Sequence, residues 1–475
     1  MIPFAAYDRA SLRPTVLHVG PGGFHRAHQA VYADTLLRSG ERSGAIWAVS
    51  LRSSAVRDAL ARNGFVYHLV ERPSGDARPI GALLGIDVAA EGIEPALARL
   101  ADPAVTVVTV VTVTVTEHGY CAVGPRGPLD PTRAAVRHDL ERPHAPCSLP
   151  GLLLEGLVRR RAAGTAPFAV ASCDNLPGNG RATARVVGDL AECRDPRLAE
   201  WVRGNVAFPS SMVDRMVPAT TDVDRALLRD AGVADDWPVL AEPWSQWVVE
   251  DVFPAGRPAW ERAGVEMVAD VGRHEQAKLR ILNAAHSALA YWGLLAGHRW
   301  IWQAAADPAL LAATRDLVTT EVLPTLQSPP GWDLPAYRDR ALARFANAAL
   351  PYATAKVAAD GSQKLPVRLL PTVRARLAAG APAPRCAQLL AAWAACVRGP
   401  RAGGFAVADA GLGDGGPPQT EVPAVGALLA QPGFLDPADP RERAFAAQVV
   451  RSAGAMWHGD VRRILAAHAA AAERS

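Results

Sequence analysis

The run Val16-Leu17-His18-Val19-Gly20-Pro21-Gly22-Gly23-Phe24-His25-Arg26-Ala27-His28 admits few folds. A short apolar stretch enters a glycine-rich turn, and a helical pattern follows from Gln29 to Leu37. Strand, glycine turn and helix in that order open a doubly wound α/β sheet, where glycines let backbone N–H groups approach a pyrophosphate at a helix N-terminus. Gly20, Gly22 and Gly23 are the candidates for that contact, and Phe24 and Arg26 of the same turn are assigned to the cofactor beside them. The sixth position of a G-x-G-x-x-G fingerprint is His25, so the standard pattern fails. A plain glycine turn between strand and helix is the competing reading.

Further strands follow the same logic. Ala45 to Leu51 reads as a strand ending at Arg52, where dinucleotide folds usually offer an Asp or Glu to the ribose. An Arg there can instead meet a 2′-phosphate, which leaves the choice between NAD and NADP open at this point. Ala55 to Arg62 reads as a helix. Val105 to Thr116 alternates Val and Thr, residues that favour strands, and it places Thr116 and Glu117 at a strand end, where such sheets bind ligands. Phe168 to Ser172 is another strand, followed by Asn175, whose amide can donate to a developing alkoxide. Asn179-Gly180 reads as turn chemistry. Asp214 and Arg215 have as their ordinary reading a surface pair with neighbours. Val248 to Asp251 is strand-like.

Near Val271 alternation gives way to helical patterning. The expected division is a dinucleotide-binding domain over 1–270 and a mostly helical domain over 271–475, the boundary falling between about 265 and 278. Helical segments are expected at 304–326, 336–349, 369–379, 386–397, 421–429 and 440–471, interrupted by a Gly/Pro-rich loop at 399–418. Glu275 to His286 carries no Gly or Pro and reads as a continuous helix. With Lys278 at zero, Glu275 falls at about 60°, His286 at about 80° and Asn283 at about 140°. A carboxylate, an ammonium, an amide and an imidazole thus share an arc with Leu279 and Leu282, which is costly unless they pair or do chemistry.

Of 50 basic residues only Lys278, Lys356 and Lys364 are lysines. Arg cannot release its proton near neutral pH, whereas a desolvated Lys can. A net charge of +3 without a basic cluster among aromatics argues against nucleic acid. No apolar run is long enough to span a membrane, and Met1-Ile2-Pro3-Phe4 lacks the regions of a signal peptide. The six cysteines form no CxxC and no Cys/His metal spacing, so they read as free thiols in a reducing, cytoplasmic compartment, with no metal expected.

Six stretches together carry a resemblance: GPGGFHRAHQAVY, TVTVTEHGYC, SCDNLPGNG, FPSSMVDRMVPATT, EPWSQWVVED and KLRILNAAHSALAYWGLLAG. From Val16 to about Leu377 the chain resembles the mannitol dehydrogenase family of polyol and hexuronate dehydrogenases. The resemblance implies a Rossmann-type N-terminal domain, a mostly α-helical C-terminal domain, an NAD-linked reaction and a metal-independent site. It implies Lys278 as general acid/base, with Asn175 and Asn283 holding the reacting oxygen. His286 would orient substrate, Glu275 would pass protons to solvent and Asp214 would lie beside the substrate.

Within the family, TEHGYC and DGSQKLPVR resemble the hexuronate branch, the fructuronate reductases. There Lys364 and Arg368 could meet a substrate carboxylate, and Lys356 is assigned to substrate binding with them. The implied reaction interconverts D-fructuronate and D-mannonate. A mannitol or related polyol 2-dehydrogenase, a tagaturonate enzyme and a non-catalytic nucleotide-binding regulatory protein are the alternatives. A monomer or small homo-oligomer acting on a small sugar acid or polyol is expected.

Overall fold

The computed structural model describes residues 2–102, 107–124, 127–233, 235–398, 407–412 and 423–472. The chain divides into two compact units, Met1–Gly272 and Arg273–Ser475.

Among its described residues the first unit holds eleven strands: β1 (Val16–Val19), β2 (Ile46–Ser50), β3 (Tyr67–Glu71), β4 (Ala77–Ile80), β5 (Leu83–Val88), β6 (Val110–Val113), β7 (Ala169–Ser172), β8 (Ser211–Asp214), β9 (Val239–Ala241), β10 (Gln246–Glu250) and β11 (Glu266–Val268). Five of them form one parallel sheet in the order β5-β2-β1-β6-β7. Every residue of β1, β6 and β7 is buried, as a parallel sheet covered on both faces requires. Chain order reverses between β1 and β6, where doubly wound sheets bind ligands beyond the strand ends. Two smaller sheets, β11-β10-β8 and β4-β3-β9, complete the unit.

The expected strand over Val105 to Thr116 is shorter than the alternation suggested. Positions 103–106 lie outside the described residues, the ladder covers only Val110–Val113, and Thr114 to Thr116 leave the sheet. The Gly/Pro-rich stretch at 399–418 lies outside the described residues except for 407–412.

The second unit is helical. Its core gathers Tyr291, Trp292, Tyr337, Leu390 and Trp393, all nearly or fully buried. The expected helix over 304–326 is four pieces. Ile301–Ala306 and Pro308–Asp316 are separated at Asp307, which caps the second through Ala309 N and Leu310 N. A π-helical turn, Leu317–Val322, and a short 3-10 turn, Leu323–Thr325, complete it. Proline fits the first turn of a helix and not its interior, so Pro308 marks the break. The expected helix over 440–471 is likewise two, Pro440–His458 and Val461–Ala472.

The stretch read as one continuous helix over Glu275 to His286 is also corrected. An α-helix, Gly272–Ala277, passes into a π-helix, Lys278–Asn283, and then into an α-helix, Ala284–Leu295. The angles drawn for a uniform α-helix therefore do not hold across Lys278 to Asn283.

Candidate active site

In the first unit the candidate site is built at the ends of β1, β2, β6 and β7. Gly20 follows β1 at φ +95°, and a Cβ there would lie 2.1 Å from the Thr114 carbonyl oxygen. Only glycine fits on both counts. Gly22 and Gly23 differ: a Cβ on either would find no protein atom closer than 3.9 Å. Their missing side chains leave open a backbone approach at the start of the helix Gly23–Ala27, which is what a pyrophosphate needs.

Beneath this turn lies a histidine pair. His18 and His25 are fully buried and stacked, ring centroids 3.4 Å apart. His18 Nε2 lies 3.1 Å from the Gly20 carbonyl and 2.9 Å from Thr114 Oγ1, and Nδ1 lies 2.8 Å from Thr112 Oγ1. Burial drives the His18 pKa down to about 3, and it holds His25 well below the usual histidine range. Both rings are therefore neutral at physiological pH. His25, the residue that spoils the glycine fingerprint, is thus a packing element of the turn. Phe24 stacks on His28 at 4.9 Å. Arg26 is a correction to its assignment as a cofactor ligand. Its buried guanidinium donates to the Trp237 carbonyl at 2.9 Å and lies 5.3 Å from the Tyr67 ring centroid, so it is committed to packing.

Arg52 is exposed after β2 and lines a cavity of about 430 Å3 with Leu51, Ala89, Gly119, Cys121 and Cys147. Thr116 and Glu117 are exposed beyond β6. Thr116 sits at φ +66°, a strained conformation for a β-branched residue. Its N–H donates to Asp174 Oδ1 at 2.9 Å; Val115 N and Tyr120 Oη donate to Oδ2 at 3.1 and 2.8 Å. Asp174 went unnoticed in the sequence beside Asn175. A carboxylate two residues past a buried strand was the available signal, because such a group is buried only when well hydrogen-bonded.

Asn175 is exposed at the end of β7. Asn179 corrects the turn reading: it is buried at the start of the helix Asn179–Arg194. Its side chain donates to the Asp174 and Ser211 carbonyls and accepts from Ser211 N. Asp214, at the end of β8, is buried and accepts from Trp244 Nε1 at 3.2 Å. Arg215 is no surface residue either. It donates to the carbonyls of Glu242 and Ala27 and pairs with Glu71 at 2.6 Å.

His138, Asp139 and Cys147 bring possible metal-ligand atoms within 4.8 Å of one another, a grouping that sequence spacing did not reveal. The Asp139 carboxylate already accepts from Cys147 N at 2.7 Å and Ser148 N at 3.1 Å, so loop anchoring accounts for the cluster.

In the second unit Lys278 and Asn283 begin and end the π turn, and both are buried. Single π turns inside α-helices are rare and recur at functional sites. Glu275 is half-buried one turn before. His286 follows on the α-helix, stacked on Phe345 at 4.7 Å and edge-on to Tyr352 at 6.4 Å, which fixes its ring plane. Tyr291, further along, donates to the Ala358 carbonyl at 2.7 Å.

The GSQKLPVR stretch forms the helix Gly361–Arg368, packed against the π turn. Gly361 is required there, since a Cβ would fall 2.3 Å from Tyr291 Oη and 2.4 Å from Trp393 Nε1. Lys364 Nζ donates to the Ala359 carbonyl at 2.6 Å. Arg368 Nη1 donates to Ser287 Oγ at 3.0 Å, next to His286, and burial pulls its pKa down to about 10. Lys356 is exposed on the helix Thr354–Ala358. The second unit thus gathers Lys278, Asn283, His286 and Arg368 around one helix, while Lys356 faces outward.

Residues 14–262 match the mannitol dehydrogenase Rossmann domain and residues 270–418 the mannitol dehydrogenase C-terminal domain. The chain is 41% identical to a D-mannonate oxidoreductase of Escherichia coli, over 79% of this chain and 78% of that one. It is 40% identical to a mannitol 2-dehydrogenase of Cereibacter sphaeroides, over 79% of each. The structure resembles that of Pseudomonas fluorescens mannitol 2-dehydrogenase in ternary complex with NAD and D-mannitol. That match has a TM-score of 0.84 and 34% identity, and it covers 98% of this chain and 96% of that one. No helix among the described residues is long and apolar enough to cross a membrane.

Proposed function

We propose a reaction from one premise: this chain belongs to the mannitol dehydrogenase family and is an oxidoreductase acting on a polyol or a sugar acid. Within that range our reading is the NAD(H)-linked interconversion of D-fructuronate and D-mannonate.

The open backbone at Gly22 and Gly23 fits a dinucleotide pyrophosphate, and the cavity beside Arg52 fits the adenosine end. When bound, the nicotinamide supplies or accepts the hydride. The chain's own residues handle the oxygen and its proton. Lys278 gives its proton to the oxygen of the reduced carbon, or takes it back in the reverse direction. Asn283 donates a hydrogen bond to that oxygen, a role the family resemblance also gives to Asn175. Glu275 carries the proton onward to solvent. His286, clamped by Phe345, orients the substrate; the resemblance assigns Asp214 to substrate binding.

One observation carries the choice of a sugar acid. Arg368 is a half-buried guanidinium whose hydrogen bond goes to the neutral Ser287 hydroxyl, and it pairs with no carboxylate among the described residues. A partly desolvated cation without a counter-charge is unfavourable unless a ligand supplies one. A uronate carboxylate does, at about 1.5–3 kcal/mol per charge-assisted hydrogen bond. Mannitol offers only hydroxyls. The test is a substrate panel of fructuronate, tagaturonate, fructose and their reduced forms, with wild type and Arg368→Met. Fructuronate should be reduced far better than fructose, and Arg368→Met should narrow the gap by harming fructuronate. Efficient turnover of fructose or mannitol with none on fructuronate or mannonate would establish the second reading, a mannitol 2-dehydrogenase, favoured by the likeness to the enzymes of that name.

A further inference from the structure

We propose that Arg280 is a positioning residue: its guanidinium holds the π turn Lys278–Asn283 in the shape that brings Lys278 and Asn283 to the same reacting oxygen. The proposal rests on the reading of Lys278 as acid/base.

The spacing of the two residues is the starting point. Five residues apart on an α-helix, Lys278 and Asn283 would stand about 140° apart around the axis and could not both address one atom. A π turn closes its hydrogen bonds from i to i+5 and so widens the turn, which brings residues five apart much closer to one face than the same spacing does in an α-helix. The turn here begins at Lys278 and ends at Asn283. The local geometry is therefore what lets a Lys and an Asn at this spacing converge.

Such a turn needs to be held from outside, because an unassisted helix favours α geometry. Arg280, buried in the middle of the turn, supplies the hold. It donates to Thr372 Oγ1 at 3.0 Å, to the Thr325 carbonyl at 3.3 Å, and to Thr325 Oγ1. Thr325 ends the 3-10 turn Leu323–Thr325 and itself donates to the Val322 carbonyl at 2.7 Å; Thr372 lies in the helix Leu370–Ala378. One side chain thus ties the π turn to two distant elements. All three acceptors are neutral, and burial pulls the Arg280 pKa down to about 10. A buried charge with neutral partners does little for global stability. Its fork of donors does, however, fix a backbone segment in orientation as well as in place.

The test uses the full-length protein with dinucleotide and substrate, measuring kcat, KM, dinucleotide Kd and thermal unfolding. Arg280→Gln should lower kcat by about a hundredfold, the loss expected of a misplacement near 1 Å. Dinucleotide Kd should stay within about twofold, since that ligand is assigned to the first unit. Arg280→Lys, which keeps the charge and loses the fork, should recover little of kcat. Thr372→Val should lower kcat by about three- to tenfold, and combining it with Arg280→Gln should add nothing, because both act through one guanidinium. In a Lys278→Ala/Asn283→Ala background Arg280→Gln should leave the residual rate unchanged, because both groups it positions are gone. A merely structural role predicts a further loss there, and that result overturns the proposal, as does wild-type kcat in Arg280→Gln. If Arg280→Gln does not fold, Thr372→Val in both backgrounds carries the same comparison. Wild-type turnover in Lys278→Ala removes the acid/base reading and the proposal with it; a dead Lys278→Ala with a fully active Arg280→Gln removes the proposal alone.

Discussion

Asp174 holds Thr116 in place. Its carboxylate accepts the Thr116 N–H at 2.9 Å while Thr116 sits at φ +66°, so the strand end after β6 is pinned to the strand end after β7. The strained residue costs about 1–3 kcal/mol, offset by bonds that also engage Val115 and Tyr120. Asp174→Ala should destabilise the protein by about 2–4 kcal/mol, since it strands buried donors. It should also weaken dinucleotide binding through the loss of the Thr116 conformation. Denaturant unfolding and a dinucleotide titration measure the two effects; loss of neither would show that the carboxylate is dispensable.

The glycines of the turn should separate into two classes. Gly20→Ala meets both a positive φ and the Thr114 carbonyl, so it should fold poorly with or without ligand. Gly22→Ala adds a Cβ that meets no protein atom closer than 3.9 Å, so it should melt near wild type while losing dinucleotide affinity by tenfold or more. Equal affinity in wild type and Gly22→Ala would mean that no ligand approaches there.

The stacked histidines predict an acid limit. Both folded-state pKa values lie below the unfolded value of about 6.5, His18 near 3. Above 6.5 neither state takes up a proton and their contribution to stability is flat. Below it the unfolded chain protonates while the folded chain does not, so stability falls with pH until the folded pKa is reached. At pH 5 His18 costs about 2 kcal/mol, and His25 acts in the same direction. Chemical denaturation between pH 7 and pH 4.5 should show this slope, and His25→Phe should flatten it. An unchanged slope in that variant would assign the acid sensitivity elsewhere.

Lys278→Ala should lower kcat by about a hundredfold or more and leave dinucleotide binding nearly intact. Near-normal turnover in the variant would be incompatible with its role as acid/base.

The cofactor choice can be tested at Arg52. NAD(H) is expected to give the higher kcat/KM, although an exposed Arg beside the cavity is the residue type that meets a 2′-phosphate. Steady-state kinetics with both cofactors decide it. If NADPH is clearly better, Arg52→Asp should weaken NADPH selectively.

What could be read from the chain was whatever is marked locally. Apolar β-branched runs punctuated by glycine located β1, β2 and β7, and Ala/Leu periodicity located the helices of the second unit. The π turn was not legible, because nothing in Lys278 to Asn283 distinguishes i→i+5 from i→i+4 bonding. Its shape is tied to Thr325 and Thr372, 45 and 92 residues away from Arg280. Arg215 read as a surface pair and Arg26 as a cofactor residue; tertiary carbonyls accept from both guanidinium groups. Arg368 stood out by its motif, but its contact with Ser287 on the helix that carries His286 required the fold.

A π turn holds one residue more than the α turns that flank it. Deleting any one residue from Leu279 to Leu282 would let Gly272–Ala277 and Ala284–Leu295 join as a regular α-helix. Lys278 and Asn283 would then stand four residues apart, about 40° apart around the axis and about 6 Å apart along it. The extra residue is therefore carried by the turn alone: a one-codon deletion would straighten the helix while removing the widened turn that Arg280 ties to Thr325 and Thr372, so its effect would read out in the turn and not in the alignment of the flanking helices.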